Sequence, residues 1–123
     1  MSRKNGLIYE SLAAKYLQQQ GLKLIEKNFH AYQGELDLIM MDKKDLVFVE
    51  VKFRKSSKYG TAAEMVNYKK QQHLAHAAQF FLQSRKQYNN YPCRFDVIAI
   101  SGDQHQQEKQ PKIDWIKNAF LIT

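Results

Sequence analysis

Apolar and polar residues alternate along two neighbouring segments in the middle of the chain, residues 34–41 and 46–54. A period of two is typical of β-strands, whose successive side chains point to opposite faces of a sheet. The polar pair Lys43-Lys44 separates the segments and predicts a tight turn between them. We therefore expect a β-hairpin, preceded by a strand over residues 22–29. The apolar face of its first strand should comprise Leu36, Leu38 and Met40.

Two other segments have the spacing of amphipathic helices. The first covers residues 5–20 and ends at Gly21, a residue that suits the position just after a helix. The second covers about residues 67–86. Asn67 is one candidate N-cap of this helix, and a capping-box pattern beginning at Thr61 is another. Its apolar stripe consists of Leu74, Ala77, Ala78, Phe81 and Leu82.

Further strands are predicted over residues 94–100 and 113–122, with a polar loop over residues 101–112 between them. The order is helix, three strands, helix and one or two strands. This order indicates an α/β fold in which helices flank a mixed β-sheet, and the length of 123 residues suits a single domain over residues 1–123.

The hairpin contains three charged residues that its apolar surroundings do not explain: Asp37, Glu50 and Lys52. Charged residues are depleted in strands and are rarely buried without partners. The register that joins the two apolar faces places Leu38 opposite Val49, because a shift of one residue would turn every side chain to the other face. The same register places Asp37 opposite Glu50.

Two opposed carboxylates destabilise a sheet unless a proton, a nearby cation or a metal ion compensates them. Carboxylate oxygens suit hard cations, so Asp37 and Glu50 are candidate ligands for Mg²⁺ or Mn²⁺, with Lys52 within reach of a bound substrate. The alternative is an exposed polar face of the sheet. In that case Glu35, which the register places opposite Lys52, forms a cross-strand ion pair with it.

Composition adds a class of partner only through charge. The chain has 19 Lys and Arg against 12 Asp and Glu, a formal net charge of +7. This balance suggests a polyanionic partner such as nucleic acid, and a merely basic protein without such a partner is the equal alternative. Its apolar runs are too short to span a bilayer, and its N-terminus lacks a signal sequence. The single Cys93 excludes an internal disulfide. We therefore expect a cytoplasmic protein without a membrane partner.

The spacing of the three charged residues, Asp37-x₁₂-Glu50-x-Lys52, resembles the PD-(D/E)XK nuclease signature, with Leu36 where that signature often has Pro. A longer series of motifs resembles the YraN-like uncharacterised protein family. The motifs are YESLAAKYLQQQG, N-x₅-GELDLI, VFVEVKFR, YG, V-x₃-K-x₃-L-x₂-AA, RFDVI and, near the C-terminus, AFLI. That family is similar in fold to archaeal Holliday-junction resolvases, so the resemblance implies a restriction-endonuclease-like fold.

The resemblance also implies roles for particular residues. Asp37 and Glu50 would hold one or two divalent metal ions, and Lys52 would position or activate the attacking water. Glu10 matches the carboxylate on the N-terminal helix of the resolvases. It lies at the margin of the apolar stripe, so it either enters the site or remains a solvated helix residue. Glu35 is either a supporting group beside the ligands or the ion-pair partner of Lys52.

Basic residues provide candidate contacts to a nucleic-acid backbone. Lys70 lies inside the apolar stripe of the second helix, so it either extends to solvent at the stripe edge or points toward the site or a phosphate. The complete set of predicted contacts is Arg54, Lys55, Lys58, Lys69 and Lys70. Asp96 in RFDVI is interpreted as part of a structural salt bridge rather than as a catalytic group.

Three functions remain open at this point. The first is metal-dependent hydrolysis of phosphodiester bonds, with DNA favoured over RNA and branched DNA as one candidate substrate. The second is a non-catalytic nucleic-acid-binding module or scaffold on a nuclease fold. The third is an interaction protein whose partner is an acidic protein. Whether the chain is a monomer or a homodimer also stays open.

Overall fold

The computed structural model describes residues 3–32, 34–54, 65–102 and 111–121. Two α-helices, five β-strands and one short 3₁₀ helix occur in these ranges. In chain order they are α1 (Arg3–Gln19), β1 (Lys23–Ala31), β2 (Gly34–Asp42), β3 (Asp45–Arg54), α2 (Tyr68–Ser84), the 3₁₀ helix (Lys86–Tyr88), β4 (Cys93–Ser101) and β5 (Lys112–Phe120). No helix within these ranges is long and apolar enough to cross a membrane.

The strands form one mixed sheet in the order β1-β2-β3-β4-β5. Strands β3 and β4 are parallel and are connected by the segment that contains α2, whereas the other neighbouring strands are antiparallel. The predicted α/β class with a mixed sheet is confirmed, and the architecture is consistent with a restriction-endonuclease-like fold. The assignment of residues 1–123 to a single domain stays a prediction.

Both faces of the sheet are covered, each by one helix. Leu17 of α1 packs against Met40 and Val49 on one face, whereas Phe81 of α2 packs against Phe48 on the other. Leu46 and Phe48 are therefore buried under α2. The alternative of an exposed polar face in the hairpin is wrong, because α2 covers it.

The helix boundaries follow the capping residues that the sequence offers. Gly21 has a φ of 99°, the Gly21 N–H donates to Gln18 O, and the Leu22 N–H donates to Leu17 O. These bonds form a Schellman motif, in which the left-handed glycine ends α1 at a low steric cost. At the start of α2, the Asn67 side chain accepts a hydrogen bond of 2.8 Å from the Lys70 N–H. Asn67 is thus the N-cap, and the Thr61 candidate lies outside the described residues.

Candidate functional site

The site lies where β2 separates from β3. The predicted hairpin register is confirmed from Asp42–Asp45 to Leu38–Val49, and among the described residues the ladder between the two strands ends there. The predicted opposition of Asp37 to Glu50 and of Glu35 to Lys52 as ladder pairs is therefore wrong.

The two strands separate because β1 and β2 turn together, so that side chains before and after this point face opposite sides of the sheet from those that regular alternation predicts. Asn28 and Asp37 lie between the pairs Lys27–Leu38 and Phe29–Leu36, and Asn28 has a left-handed φ of 53°. Beyond this point Leu36 enters the core under α2 instead of sharing a face with Leu38. The predicted common face of Leu36, Leu38 and Met40 is wrong for Leu36, because regular alternation does not pass through the irregularity.

Asp37 occupies the gap that this separation leaves. Its Oδ2 accepts a hydrogen bond of 2.9 Å from the Val51 N–H, so the side chain takes the place of a ladder acceptor. This bond holds the Asp37 carboxylate against the segment of β3 that carries Glu50 and Lys52. The two predicted metal ligands are thus brought together by a side-chain contact to the backbone.

Glu50 is a buried carboxyl group, with 6% of its side chain exposed. Its Oε2 has no hydrogen-bond partner among the described residues and lies 3.7 Å from Lys70 Nζ. Burial raises the pKa of Glu50 well above its ordinary value, and the adjacent Asp37 raises it further. Lys70 and Lys52 lower the pKa only in part. A buried carboxyl oxygen without a hydrogen-bond partner is costly, so the site favours a proton or a cation at Oε2.

Glu10 approaches Asp37 from α1, on the opposite face of the sheet from α2. Burial raises the pKa of Glu10 from 4.5 to about 7, the charge of Asp37 raises it as well, and a hydrogen bond with Asn28 lowers it in part. The Glu10 Oε1 atom is buried and has no hydrogen-bond partner in the described structure. The structure thus places Glu10 at the site rather than in solvent. Through the gap between β2 and β3, Asp37 influences carboxyl groups on both faces.

Two lysines accompany the carboxyl groups. Lys52 lies two residues after Glu50 on β3, where side chains two apart share a face, and its charge acts on the Glu50 carboxyl. Lys70 reaches the same carboxyl from α2. Lys70 therefore points toward the site, one of the two orientations that its position in the apolar stripe allowed.

The remaining predicted residues are less closely associated with the carboxyl groups. Glu35 Oε2 lies 3.8 Å from His30 Nδ1, so the predicted alternative of a Glu35–Lys52 ion pair is wrong. The Glu35 charge nevertheless contributes to the raised pKa of Glu10. Arg54 Nη1 donates to Phe53 O, and Lys69 lies on the exposed face of α2. Lys55 and Lys58 lie outside the described residues.

The donor set fits a divalent cation that keeps part of its water shell. In the described part of the chain, no three His, Cys, Asp or Glu side chains form a complete metal site. Mg²⁺ requires fewer, because it commonly uses one or two carboxylates together with water and substrate phosphate. Asp37 and Glu50 can supply those two carboxylates, and a cation would satisfy the buried Glu50 Oε2, which accepts no hydrogen bond from the described residues.

A second cluster of charges, which extends from the middle of β4 to the turn between β2 and β3, is structural. Asp96 is fully buried and accepts hydrogen bonds from Arg94 Nε (3.1 Å), Trp115 Nε1 (2.9 Å) and the Asn118 N–H (2.9 Å). It lies where the pairing of β4 with β5 shifts register between Phe95 and Val97. The interpretation of Asp96 as part of a structural salt bridge is confirmed, because it pairs with Arg94 and its oxygens accept hydrogen bonds that link β4 to β5 at the register shift.

The sequence was compared with known protein families and curated proteins. The protein-family sequence model described as "Uncharacterised protein family UPF0102" matches residues 9–100. The chain belongs to this family. A UPF0102 protein of Pseudomonas syringae pv. syringae (strain B728a) is 49% identical over 111 residues, which cover 90% of this chain and 88% of the relative. One from Colwellia psychrerythraea (strain 34H / ATCC BAA-681) is 46% identical over 121 residues, covering 97% and 90%.

The segment matched by the UPF0102 model contains all the residues that converge at the site, from Glu10 to Lys70. Sequence reasoning missed one of its members, Asn28, which combines a left-handed backbone with a side chain that lowers the pKa of Glu10. Asn is depleted in strands but tolerates the left-handed region better than most residues. An Asn inside a predicted strand was the signal that could have indicated the break in β1.

Proposed function

We propose that this protein hydrolyses phosphodiester bonds of DNA with the help of Mg²⁺ or Mn²⁺ held by Asp37 and Glu50. The observation that carries the proposal is the Glu50 Oε2 atom. It is a buried carboxyl oxygen that has no hydrogen-bond partner among the described residues, and it lies beside a second carboxylate and two lysines. A fold that kept such a group only for stability would gain by replacing it, since buried charges without hydrogen bonds are destabilising.

Each residue of the site has a role that follows from its position. Asp37 and Glu50 are the metal ligands, and the Val51 N–H fixes the orientation of Asp37. Lys52 stabilises the negative charge that develops on the phosphate, an electrostatic role that requires no proton transfer. Glu10 and Asn28 act as positioning residues on the α1 side. A bound divalent cation would polarise the phosphate and lower the pKa of a coordinated water molecule.

The charge of the chain supports a nucleic-acid substrate. With a net charge of +7 and a basic segment that begins at Arg54, the protein is suited to phosphate contacts that do not read base sequence. Among the described residues, Lys70 pairs with Glu50 across 3.7 Å, which supports a role in contacting a phosphate that approaches Glu50. DNA is favoured over RNA by the resemblance to resolvases, and branched DNA is a candidate substrate for the same reason.

A cleavage assay tests the proposal. Labelled duplex, four-way branched and single-stranded DNA are incubated with protein in EDTA, Mg²⁺ or Mn²⁺. We expect cleavage only with a divalent cation, and no cleavage by Asp37→Asn or Glu50→Gln. Lys52→Gln should reduce the rate about 100- to 1,000-fold, the effect of removing one electrostatic stabiliser of a transition state. Lys44→Gln is the matched control, because it removes the same charge from an exposed turn at the other end of the sheet.

Both rival functions predict no cleavage in this assay, and a DNA-binding measurement on the same substrates separates them. A non-catalytic module would bind DNA with or without the cation and leave every substrate intact. A protein that recognises an acidic protein partner would show no salt-sensitive DNA binding. Cleavage that persists in both Asp37→Asn and Glu50→Gln would show that these residues are not the ligands, and it would overturn the proposal.

A further inference from the structure

An open groove lies between Tyr32, at the end of β1, and the outer face of α2. We call it the tyrosine groove. It is lined by Tyr32, Tyr68, Lys69, Gln72, His73 and His76. None of these lining residues is acidic, so the groove presents aromatic rings, hydrogen-bonding groups and one permanent positive charge. This composition suits an anionic ligand with flat, polar-edged rings.

The two tyrosines are unusually exposed for large aromatic residues. The exposed fractions are 98% for Tyr32 and 74% for Tyr68. Aromatic side chains normally bury most of their surface, and two exposed tyrosines on one groove offer ring faces that a ligand can cover. Tyr68 is the first residue of α2, and Tyr32 directly follows the last residue of β1.

The tyrosine groove is close to the candidate catalytic site in two ways. Gly34 packs so tightly against the backbone of His73 that an added Cβ would overlap the His73 carbonyl group. Asp37 follows Gly34 by three residues of β2, at most about 10 Å along an extended strand. On α2, Lys69 in the groove immediately precedes Lys70, whose Nζ lies 3.7 Å from Glu50 Oε2. A DNA strand that enters the site can therefore extend into the groove.

We propose that the tyrosine groove binds unpaired bases of a DNA strand next to the phosphate that is cleaved. The inference rests on the proposed function and adds its substrate class: DNA with a single-stranded or unpaired segment beside the cut. Every base has a flat π-face, and stacking on exposed aromatic residues is a common way of holding single strands without reading sequence. Lys69 contacts the backbone of the bound segment, while Gln72 and His73 offer hydrogen bonds to base edges.

Duplex DNA does not explain the same features. Paired bases are stacked on each other, so their faces are not accessible to Tyr32 and Tyr68, and a duplex would contact the protein mainly through phosphates. An acidic peptide would use Lys69 but would leave the aromatic rings without flat partners. Unpaired nucleotides satisfy the charge and the exposed rings together.

The test is a binding measurement without catalysis. Fluorescence anisotropy in EDTA compares a labelled oligothymidylate with a labelled blunt duplex, for wild-type protein and single variants. Tyr32→Ala and Tyr68→Ala should each weaken binding to the single strand at least about five-fold, the lower end of the usual loss for one stacked base. Tyr68→Phe should bind as wild type, because the ring and not the hydroxyl makes the contact. Binding to the duplex should change less than about two-fold.

Matched controls separate stacking and local charge from general effects. Tyr91→Ala removes another exposed tyrosine from the loop before β4, at the opposite end of the sheet, and should not affect the single strand. Lys69→Gln and Lys44→Gln change net charge equally, and only Lys69→Gln should weaken single-strand binding more than duplex binding. Unchanged thermal melts would confirm that Tyr32→Ala and Tyr68→Ala fold normally.

The outcomes distinguish this inference from the function on which it rests. If wild-type protein binds DNA but the tyrosine variants bind the single strand normally, the groove inference is wrong and the metal-site proposal is unaffected. The same conclusion follows if the variants weaken single-strand and duplex binding equally. If wild-type protein binds neither form at low salt, the proposed function fails, and the groove inference fails with it.

Discussion

Replacing Asp37 with Asn should remove the metal-dependent function and stabilise the metal-free protein. The substitution keeps the side-chain shape but removes the negative charge that raises the pKa values of Glu10 and Glu50. The Asn side-chain oxygen can still accept the hydrogen bond from the Val51 N–H. Activity and stability should therefore change in opposite directions, as expected where a site carries unfavourable charges for the sake of chemistry.

The size of the stabilisation follows from three contributions. Two unit charges about 5 Å apart repel by about 3 kcal/mol at an effective dielectric constant of about 20. Lys52, Lys70 and partial protonation of Glu50 reduce this repulsion, and the weaker hydrogen bond to Val51 costs about 1 kcal/mol. We expect a net gain of about 1–2 kcal/mol at pH 8, which corresponds to an increase of about 3–8 °C in Tm for a domain of this size.

The gain should depend on pH. The raised pKa of Glu10 means that the folded state binds its proton more tightly than the unfolded state. The stability that this proton provides is complete below about pH 4.5 and is lost as the pH rises through about 7. The contribution of Glu50 has the same sign, because its pKa is also raised. Wild-type stability should thus fall as the pH rises, and the advantage of Asp37→Asn should be larger at pH 8 than at pH 5.

Thermal melts at pH 5 and pH 8, each with EDTA and with Mn²⁺, test this prediction. In Mn²⁺ at about 100 times its Kd, wild-type protein should gain about 2.7 kcal/mol and Asp37→Asn much less. Asp45→Asn is the control, because it makes the same chemical change at a carboxylate away from the site. There Asp45 Oδ2 accepts a hydrogen bond of 2.9 Å from Arg94 Nη1. This variant should lower Tm slightly or not at all. An Asp37→Asn variant that is less stable than wild type in EDTA, together with a wild-type melt that ignores Mn²⁺, would refute the reasoning.

Three further predictions concern binding and the fold. Binding to duplex DNA should weaken as salt is added. If the basic segment 54–58 and its neighbours neutralise about five phosphates, a plot of log binding constant against log salt concentration should have a slope of about −4 to −5. A flat response in this titration would favour a protein partner. Asp96→Asn should lower the free energy of unfolding in urea by about 1.5–3 kcal/mol, because the new amide donors would face the donors of Arg94 and Trp115. An unchanged urea midpoint would contradict the structural role of Asp96. Gly34→Ala should lower the free energy of unfolding by about 1–3 kcal/mol, because the new Cβ would overlap the α2 backbone. Gly102→Ala places its Cβ in open space and should lower it by less than about 1 kcal/mol. Equal losses in the same urea series would contradict the close approach of Gly34 to α2.

Short-range features of the molecule could be predicted from the sequence because they depend on neighbouring residues. Gly21 ends α1 and Asn67 begins α2, each through hydrogen bonds within a few residues. The hairpin register from Leu38–Val49 to Asp42–Asp45 follows from the turn and from the alternation beside it. The identities of the two candidate ligands and of Lys52 also came from the sequence, because charge inside a strand pattern is visible there.

The break in the hairpin was decided only by the tertiary structure. Alternation extended without interruption predicts Asp37 as the ladder partner of Glu50, but the left-handed Asn28 in β1 turns both strands. Leu36 then gains burial under α2, and Asp37 bonds to the Val51 N–H across the gap. This outcome depends on packing between segments that are distant in sequence, and no periodicity within β2 records it.

The convergence of Glu10 and Lys70 on the same cluster has the same kind of cause. Each residue lies near the apolar stripe of its helix, a position that leaves open whether it faces solvent or protein. The two helices cover opposite faces of the sheet, and only the gap between β2 and β3 allows side chains from both to meet at Asp37 and Glu50. The sequence determined which charges the protein has, and the separation of the two strands determined which of them act together.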